Sequence, residues 1–389
     1  MRKVTIGDLG DIYTGNTPSK KNVEFYDSED IMFIKPDILD FDINTINESN
    51  EYVSERAREK ARIIPKDSLL VSCIGNIGKL GINKKEAAFN QQINAIVHNE
   101  KIVSSRYLAY LIKYNQKKLE AIANAPVVPI INKTQFSNFE LFIHENLETQ
   151  NKIVEVLDKA QSLIDKKREQ IELLDELVKS RFIEMFGDPV NNPKSFEILT
   201  IGDLTTDVKY GTSKSSSDGG KYPYLRMNNI TYGGKLDLND LKYIDIDDDE
   251  LEKCIVKRGD VLFNRTNSIE LIGKTCIFEL EEPMVIAGYI IRVRLKNNIL
   301  PVYLSTFLNS SYGKTLLRGI AKGAVNQANI NAQELKSIKI HVPPIELQNE
   351  FAEFVKKVDS IRSKMEASLS ELEDNFNSLM QKAFKGELF

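Results

Sequence analysis

Two short segments that each occur twice decide the fold of this chain. Residues 5–9 read TIGDL, and residues 200–204 read TIGDL again. Residues 147–151 read LETQN, and residues 345–349 read IELQN. The first segment opens a stretch punctuated by glycine, whereas the second opens a long stretch without glycine or proline. The sequence therefore predicts two copies of one unit, each with mixed secondary structure followed by a long helix.

Bulk properties agree with two domains in a water-soluble protein. The chain has 389 residues, more than one ordinary hydrophobic core accommodates. No apolar run approaches the ~20 residues of a membrane span, and the first residues do not resemble a signal peptide. Cys73, Cys254 and Cys276 are scattered and fit no metal spacing. We expect reduced thiols and a cytoplasmic location. The net charge of −4 argues mildly against a nucleic-acid partner, although it does not describe local patches.

Weaker matches continue between the two repeated segments. Residues 66–71 correspond to 258–263, and residues 77–79 correspond to 272–274, while the stretch 42–45 has no likeness in the acidic run 245–250. Short β-type runs with one intervening helix predict an α+β domain of roughly 145 residues in each copy. A conserved scaffold with changed loops indicates that the loops carry specificity. Drift after a duplication, without a change of function, is the simpler alternative.

Both long stretches have the apolar spacing of a coiled coil. In the first, Ile153, Leu157 and Ile164 belong to a series with steps of three and four, and the second stretch has a similar series. Polar residues interrupt the two apolar series at different positions. If the two helices pair with each other, these polar residues lie against apolar ones and like charges do not stack, so we predict an intramolecular antiparallel pair. Each helix would be about 60 Å long at 1.5 Å per residue. We expect a rigid spacer between two binding domains.

The ends of these helices are marked by residues with defined conformational preferences. Asn146 can cap the first helix, and Pro344 suits the first turn of the second. Gly187 and Gly386 are expected to end them. We predict domain 1 at 1–145, spacer helix 1 at 146–186, a linker at 187–194, domain 2 at 195–342 and spacer helix 2 at 343–389.

The order of the motifs resembles one known family. A TIGDL start, the GNTPS loop at residues 15–19, NQQI at 90–93, MFGDP at 185–189 and VPPIELQN at 342–349 are similar to the specificity subunit of type I restriction–modification systems. The resemblance covers the whole chain. It implies two target-recognition domains, each reading one half of a bipartite, asymmetric DNA site, and two antiparallel helices that set the gap. It also implies two methyltransferase subunits that carry S-adenosylmethionine, and motor-nuclease subunits. In one departure, IHEN stands at 143–146 where the second copy has VPP at 342–344.

Candidate DNA contacts follow from position in the repeat and from side-chain chemistry. Phosphates are bound by lysine, arginine and hydroxyl groups, and bases are read by arginine, asparagine, glutamine, serine or threonine. Domain 1 offers Thr17, Ser19, Lys20, Lys21, Lys35, Asn76, Lys79, Asn90, Gln91 and Gln92. Domain 2 offers Tyr210, Thr212, Ser213, Lys214, Arg226, Asn228, Asn229, Asn264, Arg265, Asn267 and Lys274. Arg265 is the strongest single candidate for reading guanine, because arginine binds O6 and N7 together. We expect the acidic run 245–252 to point away from DNA.

A search for catalytic chemistry finds no recognisable site. The three histidines, His98, His144 and His341, belong to no nucleophile or metal pattern. Neither a phosphate-binding loop nor a dinucleotide fingerprint is complete. We predict a non-enzymatic DNA-recognition subunit without a cofactor or metal of its own. A protein–protein scaffold with peptide-binding globular units is the alternative, and a nuclease or methyltransferase that works alone is a third hypothesis.

Overall fold

The computed structural model describes residues 1–123, 128–324 and 327–389. It divides into two compact units. Unit 1 comprises Met1–Lys167 and Ser368–Phe389, and unit 2 comprises Arg168–Ala367. Each unit thus contains one mixed region together with a portion of each long helix, whereas the sequence-based boundaries placed the helices outside the domains. Within the described ranges, no helix combines the length and the hydropathy that a membrane crossing requires.

Unit 1 contains two small sheets, a two-stranded ribbon and short helices. The sheet orders are β2-β10-β7-β8-β4 and β5-β3-β9-β6, and β1 pairs with β11. The elements are β1 (Arg2–Thr5), β2 (Gly10–Thr14), β3 (Ile31–Ile34), β4 (Asn44–Ile46), β5 (Tyr52–Val53), β6 (Ile63–Ile64), β7 (Leu69–Ser72), β8 (Leu80–Asn83), β9 (Ala87–Phe89), β10 (Ile93–His98), α1 (Ser105–Tyr114), α2 (Gln116–Ala121), α3 (Lys133–Ser137), β11 (Glu140–Ile143) and α4 (Leu147–Phe186).

Unit 2 repeats this arrangement and adds a small three-stranded sheet. Its sheet orders are β13-β21-β17-β19, β15-β14-β20-β16 and β18-β23-β22, and β12 pairs with β24. The elements are β12 (Glu197–Thr200), β13 (Thr205–Tyr210), β14 (Tyr222–Leu225), β15 (Lys242–Ile244), α5 (Asp248–Cys254), β16 (Ile255–Val256), β17 (Val261–Asn264), β18 (Thr266–Asn267), β19 (Thr275–Ile277), β20 (Met284–Ile286), β21 (Ile290–Leu295), α6 (Pro301–Asn309), α7 (Ser311–Ile320), β22 (Lys322–Ala324), β23 (Gln327–Asn329), α8 (Ala332–Ser337), β24 (Lys339–Val342) and α9 (Ile345–Lys385).

The TIGDL repeat forms the same capped turn in both units. In unit 1 the Asp8 amide donates to the Thr5 hydroxyl (3.3 Å), and the Thr5 amide donates to the Asp8 carboxylate (2.7 Å). In unit 2 the corresponding distances between Thr200 and Asp203 are 3.2 and 3.0 Å. This reciprocal pairing satisfies two backbone donors at the start of a short helix. The turn directs the chain from the ribbon into the first strand of each main sheet.

The second repeated segment carries a buried glutamine that ties each long helix to its domain. Gln150 Nε2 donates to the carbonyls of Ile102 (2.9 Å) and His144 (2.7 Å). Gln348 Nε2 donates to the carbonyls of Asn298 (3.1 Å) and Pro343 (2.8 Å). Both glutamines are fully buried. Because an unpaired carbonyl inside a protein is costly, these two donors explain why the segment recurs.

Within each unit the two long helices run antiparallel, as the sequence predicts. In unit 1 the beginning of α4, with Ile153, shares a core with the end of α9, with Phe384. In unit 2 the end of α4 meets the beginning of α9, where the ring centroids of Phe182 and Phe351 lie 5.5 Å apart. The start of one helix therefore contacts the end of the other in both units. The predicted α+β fold with two similar domains and an antiparallel helix pair is confirmed.

The helix ends and the polar interruptions have specific partners. The Asn146 side chain accepts from the Glu148 amide (2.8 Å), which caps α4. Gly187 and Gly386 have φ of +82° and +77°, the left-handed conformation that ends a helix. Pro344 lies just before the first turn of α9, where its carbonyl accepts from the Gln348 amide. Arg362 is a buried polar residue in the apolar series of α9. It donates to the Asp175 carboxylate on α4, so it is paired with an opposite charge and not with an apolar surface.

Candidate nucleic-acid interface

The loop that follows β2 is the most exposed polar segment among the unit 1 candidates. The first residue of the loop, Gly15, lies close to the connection between β9 and β10. A Cβ added to Gly15 would be 2.2 Å from the Asn90 carbonyl oxygen. Thr17 then donates to the Gln91 side chain (2.9 Å). Thr17, Ser19, Lys20 and Lys21 are all exposed. Within the described parts of the chain, neither lysine forms an ion pair, so both ammonium groups are available to an anionic ligand.

The other unit 1 candidates differ in how accessible they are. Asn76 is exposed in a turn between two glycines with positive φ. Lys79 Nζ lies 5.6 Å from the ring centroid of Phe41. Lys35 pairs with the Glu51 carboxylate, which neutralises it. Gln91 is exposed, whereas Gln92 is half-buried.

Asn90 is part of the internal hydrogen-bond network at this strand connection. It is 7 % exposed, and its Nδ2 donates to Gln92 Oε1 (2.9 Å). Asn90 Oδ1 also accepts from the Gln92 amide (3.1 Å). Because these bonds hold the loop, we withdraw Asn90 as a direct DNA contact.

Unit 2 places an acidic segment directly against its corresponding loop. Lys214 Nζ lies 2.7 Å from the Asp247 carboxylate and 3.2 Å from that of Glu250. Thr212 is buried and donates to Glu250, so it too is withdrawn as a contact, while Ser213 between them is exposed. The Lys214 ammonium holds the pKa of the Asp247 carboxyl below its usual value. Part of the acidic run thus contacts the loop that was predicted to bind DNA, and the expectation that the run points away from DNA stays a prediction.

The charge-removing pair Asp247→Asn and Glu250→Gln is expected to strengthen binding of non-specific DNA. Both carboxylates compete with phosphates for Lys214, and removing them frees one cation for a counterion-releasing contact. We expect the slope of log K against log salt to steepen by about 0.9. A salt titration with double-stranded DNA measures this slope.

A matched control for this prediction lies on the same helix. Asp248 and Asp249 are exposed on α5 and form no ion pair among the described residues. The pair Asp248→Asn and Asp249→Asn changes the net charge equally. If both pairs of substitutions raise the affinity to the same extent, the effect is general charge and not competition for Lys214.

The next candidates of unit 2 are also engaged within the protein. Arg226 Nη2 lies 2.6 Å from the Asp240 carboxylate, and Asn228 Nδ2 donates to the same carboxylate (3.3 Å). Asn229 is 1 % exposed and donates to the Asp237 carbonyl (2.7 Å). We withdraw Asn229 as a direct contact because its amide is internal. Arg226 and Asn228 remain candidates at the surface.

Two further predicted contacts of unit 2 are buried and serve the fold. Asn264 is 0 % exposed, and its Oδ1 accepts from the Thr266 amide (3.2 Å). Lys274 is 8 % exposed and donates to the Met227 carbonyl (2.8 Å). Burial lowers the pKa of Lys274. Neither side chain is presented to a ligand, so the prediction that they contact DNA is withdrawn.

Arg265 stands in a different environment, half-buried beside aromatic and amide groups. Its guanidinium carbon lies 5.0 Å from the ring centroid of Tyr210, and Nη2 donates to Asn329 Oδ1 (2.9 Å). Asn267, on β18, is half-buried nearby in sequence and accepts from the Ser268 amide (2.9 Å). Sequence reasoning missed Asn329, because it follows a stretch of weak repeat similarity and carries no motif of its own.

Backbone hydrogen bonds identify the residue of unit 1 that corresponds to Arg265. The Arg265 amide donates to the Tyr289 carbonyl (2.9 Å), and the Arg265 carbonyl accepts from the Ile330 amide (2.9 Å). In unit 1 the Cys73 amide donates to the Gln92 carbonyl (2.8 Å), and the Cys73 carbonyl accepts from the Ile131 amide (2.9 Å). One scaffold therefore presents a cysteine in unit 1 and an arginine in unit 2.

Two of the histidines are hydrogen-bonded within the fold, and the three cysteines are buried in it. His144 Nδ1 shares a hydrogen bond with the Tyr107 hydroxyl (2.9 Å), and the Tyr303 hydroxyl donates to the His341 carbonyl (2.9 Å). All three cysteines are buried, and burial raises the pKa of the Cys73 thiol to about 12. Among the described residues, no three His, Cys, Asp or Glu side chains form a group that could hold a metal ion.

Curated proteins with similar sequences share one description. The chain is 23 % identical over 357 residues to the EcoKI specificity subunit of Escherichia coli, which covers 85 % of this chain and 76 % of that protein. It is 32 % identical over 202 residues to the putative MjaX specificity subunit of Methanocaldococcus jannaschii, covering 51 % of this chain and 47 % of that protein. Both relatives are named as type I restriction enzyme subunits.

Solved structures show that the fold is shared. A chain from a structure concerned with complex assembly and conformational transition of the type I R-M system matches with a TM-score of 0.63 at 15 % identity, covering 100 % of this chain and 98 % of the other. The S subunit from M. genitalium matches with a TM-score of 0.53 at 16 % identity, covering 98 % and 96 %. The family model for the type I restriction modification DNA specificity domain matches residues 1–173 and 193–374. The chain therefore belongs to the family of type I restriction–modification specificity subunits and contains two of its recognition domains.

Proposed function

We propose that this chain reads a bipartite, asymmetric DNA site, with unit 1 bound to one half-site and unit 2 to the other. The supporting observation is that one backbone scaffold carries different side chains at corresponding positions, Cys73 in unit 1 and Arg265 in unit 2. Two similar scaffolds with different side chains at the same place suit two different short sequences. The exposed loops after β2 and β13 supply hydroxyl and ammonium groups for the duplex.

The chain is proposed to act without a catalytic site of its own. Methyltransferase subunits would dock on it and supply S-adenosylmethionine and adenine methylation, and motor-nuclease subunits would add cleavage. The curated relatives are named as specificity subunits, which supports this division of labour. The two long helices, α4 and α9, are the proposed spacer that fixes the distance between the half-sites.

Genome-wide methylation mapping tests this function in cells that express the chain with its methyltransferase subunits. We expect the modified sites to share two short constant sequences separated by a gap of constant length. The two constant sequences should differ from each other, because the two units differ at their contact positions. A modified site that is continuous or palindromic would contradict the proposal, as would an unchanged methylation pattern when the chain is omitted.

The double substitution Lys20→Ala and Lys21→Ala is expected to weaken DNA binding equally on every sequence. Both ammonium groups are exposed and form no ion pair with a residue that the structure describes, as phosphate-binding groups should. Loss of two phosphate contacts should reduce the slope of log K against log salt by about 1.8. Titrations at several salt concentrations measure that slope.

A matched control for the lysine pair lies at the opposite end of the same strands. Lys66 precedes β7, and Lys101 follows β10, at the end where His98 pairs with Gly10. Both are exposed and form no ion pair among the described residues. The pair Lys66→Ala and Lys101→Ala should leave the slope unchanged. An equal change in both variants would mean that the loop after β2 does not touch phosphate, and binding insensitive to salt would favour the protein–protein scaffold.

A further inference from the structure

Arg265 is held by groups that fix both the position and the plane of its guanidinium. Nη2 donates to Asn329 Oδ1 (2.9 Å), and Nη1 lies 3.4 Å from the Gly288 carbonyl oxygen. The Tyr210 ring packs against the guanidinium with its centroid 5.0 Å away, a cation–π contact. Arginine side chains at surfaces usually sample many rotamers, so this arrangement removes most of that freedom before any ligand binds.

The groups that hold Arg265 are themselves fixed by the backbone. The Tyr210 hydroxyl accepts from the Ala332 amide (2.7 Å) at the start of α8. Asn329 lies on β23, which pairs with β18 through Thr266. The Ile330 amide donates to the Arg265 carbonyl (2.9 Å) immediately after Asn329. Tyr210, Arg265 and Asn329 therefore come from three chain segments locked in one register.

Among the described residues, some Arg265 donors have no acceptor. The guanidinium has five N–H donors, and those bonded to Asn329 and Gly288 leave one N–H on each terminal nitrogen. Nε is buried and has no hydrogen-bond partner within the described chain, so the terminal N–H groups are the ones that can meet a ligand. Two neighbouring N–H donors in a fixed plane match the O6 and N7 acceptors of guanine in the major groove. A carboxylate or phosphate would also match, but a preset plane beside an aromatic ring suits a planar base edge.

We propose that Asn329 and Tyr210 are positioning residues that hold Arg265 to read a guanine in the half-site bound by unit 2. This inference rests on the proposed function of the chain. It assigns a role to Asn329 that chemistry and position in the repeat did not reveal. It also changes the role of Tyr210 from a direct DNA contact to a support for Arg265.

The corresponding place in unit 1 provides an internal contrast. Cys73 is 3 % exposed there, and its sulfur accepts from Asn94 Nδ2 (3.3 Å). Asn94 Oδ1 in turn accepts from the Thr14 hydroxyl (2.6 Å). Thr14 and Tyr210 end corresponding strands, since Thr14 pairs with Asn94 and Tyr210 pairs with Ile291. Unit 1 thus fills this place with a polar network, and the side chain at the position of Arg265 is a buried cysteine and not a cation.

The test measures base discrimination by the complete methyltransferase complex containing the chain. Each base of the half-site bound by unit 2 is changed in turn. The discrimination ratio at that base is the affinity for the mapped site divided by the affinity for the changed site. Arg265→Ala should lower this ratio by about 5- to 150-fold at one guanine. Asn329→Ala should lower it at the same guanine, and the double variant should lose little more than Arg265→Ala alone, because the two side chains act through one contact. Asn329→Asp keeps the acceptor and should restore the discrimination.

A matched asparagine separates positioning from general loosening of unit 2. Asn309 Nδ2 donates to the Thr275 carbonyl (2.7 Å), away from Arg265 in the hydrogen-bond network. Asn309→Ala should lower all affinities together and leave the ratio unchanged. If Asn329→Ala behaves like Asn309→Ala, or if Arg265→Ala leaves discrimination intact at every base, the inference is overturned while the proposed function stands. If the unsubstituted complex shows no sequence preference, the proposed function fails.

Discussion

Removal of one heptad from each long helix is expected to shorten the gap between the two half-sites without changing either half. The segments are 168–174 of α4 and 361–367 of α9, both within unit 2. They face each other, because Arg362 Nη1 donates to the Ile171 carbonyl (3.3 Å). Seven residues correspond to about 10 Å of helix at 1.5 Å per residue. That length equals at most about three base pairs at 3.4 Å each.

Methylation mapping of the shortened chain measures this change directly, since it reports both half-sites and the gap together. A control of unchanged length carries Glu172→Ala and Leu173→Ala, two exposed positions in the deleted segment, and should keep the original gap. An unchanged gap in the shortened chain would refute the role of the helices as a spacer. A change in the bases of either half-site would show that the deletion disturbed a recognition unit.

Replacement of Arg292 is expected to produce the largest loss of stability of any single substitution considered for unit 2. Arg292 is 1 % exposed, and it pairs with the Asp207 carboxylate and donates to the Ile255 carbonyl. Arg292→Met removes the closer of two cations beside the Asp207 carboxylate, the other being Lys209 at 3.8 Å, and it removes the Arg292 donor to the Ile255 carbonyl. We expect the free energy of unfolding to fall by about 3 kcal/mol, as is typical when one member of a buried ion pair is removed.

Thermal unfolding followed by circular dichroism measures this loss, and about 2–4 °C per kcal/mol is expected for a unit of this size. The control is Arg258→Met, because Arg258 pairs with Glu281 while both side chains are well exposed. Exposed ion pairs contribute at most about 1 kcal/mol. Equal shifts in the two variants would contradict the structural role of Arg292. Adding Asp207→Asn to Arg292→Met should recover part of the loss, because it removes a charge that has lost its closest partner and keeps, among the described residues, only the contact with Lys209 at 3.8 Å.

The architecture could be predicted from the sequence because its signals are local or repeated. The TIGDL segment encodes its own capped turn, and the periodic apolar residues encode the helix Leu147–Phe186, for which the sequence suggested the range 146–186. The division of the helices between the two units could not be predicted in this way. It depends on contacts such as that between Tyr107 and Phe384, whose ring centroids lie 5.5 Å apart although the residues are distant in sequence.

The candidate site could be predicted only in outline. The exposed loop at Lys20 and Lys21 follows from its glycine and polar composition, which is a local property. The pairing of Lys214 with Asp247 brings together two segments separated by strands β14 and β15, and composition cannot show that a cation is already neutralised. Likewise, the sequence suggests Arg265 but not its partner Asn329, because the side-chain contact depends on the pairing of β18 with β23.

The division of α9 between the units also bears on the order in which the protein can fold during synthesis. Unit 2 is continuous in the chain, from residue 168 to residue 367. The core of unit 1, in contrast, includes Phe376, Met380 and Phe384 from the last part of α9. A ribosome therefore releases every residue of unit 2 before it supplies the side chains that complete unit 1. Although unit 1 comes first in the sequence, it acquires its full core after unit 2, and a nascent chain would expose the unfilled apolar surface until residues 368–389 emerge.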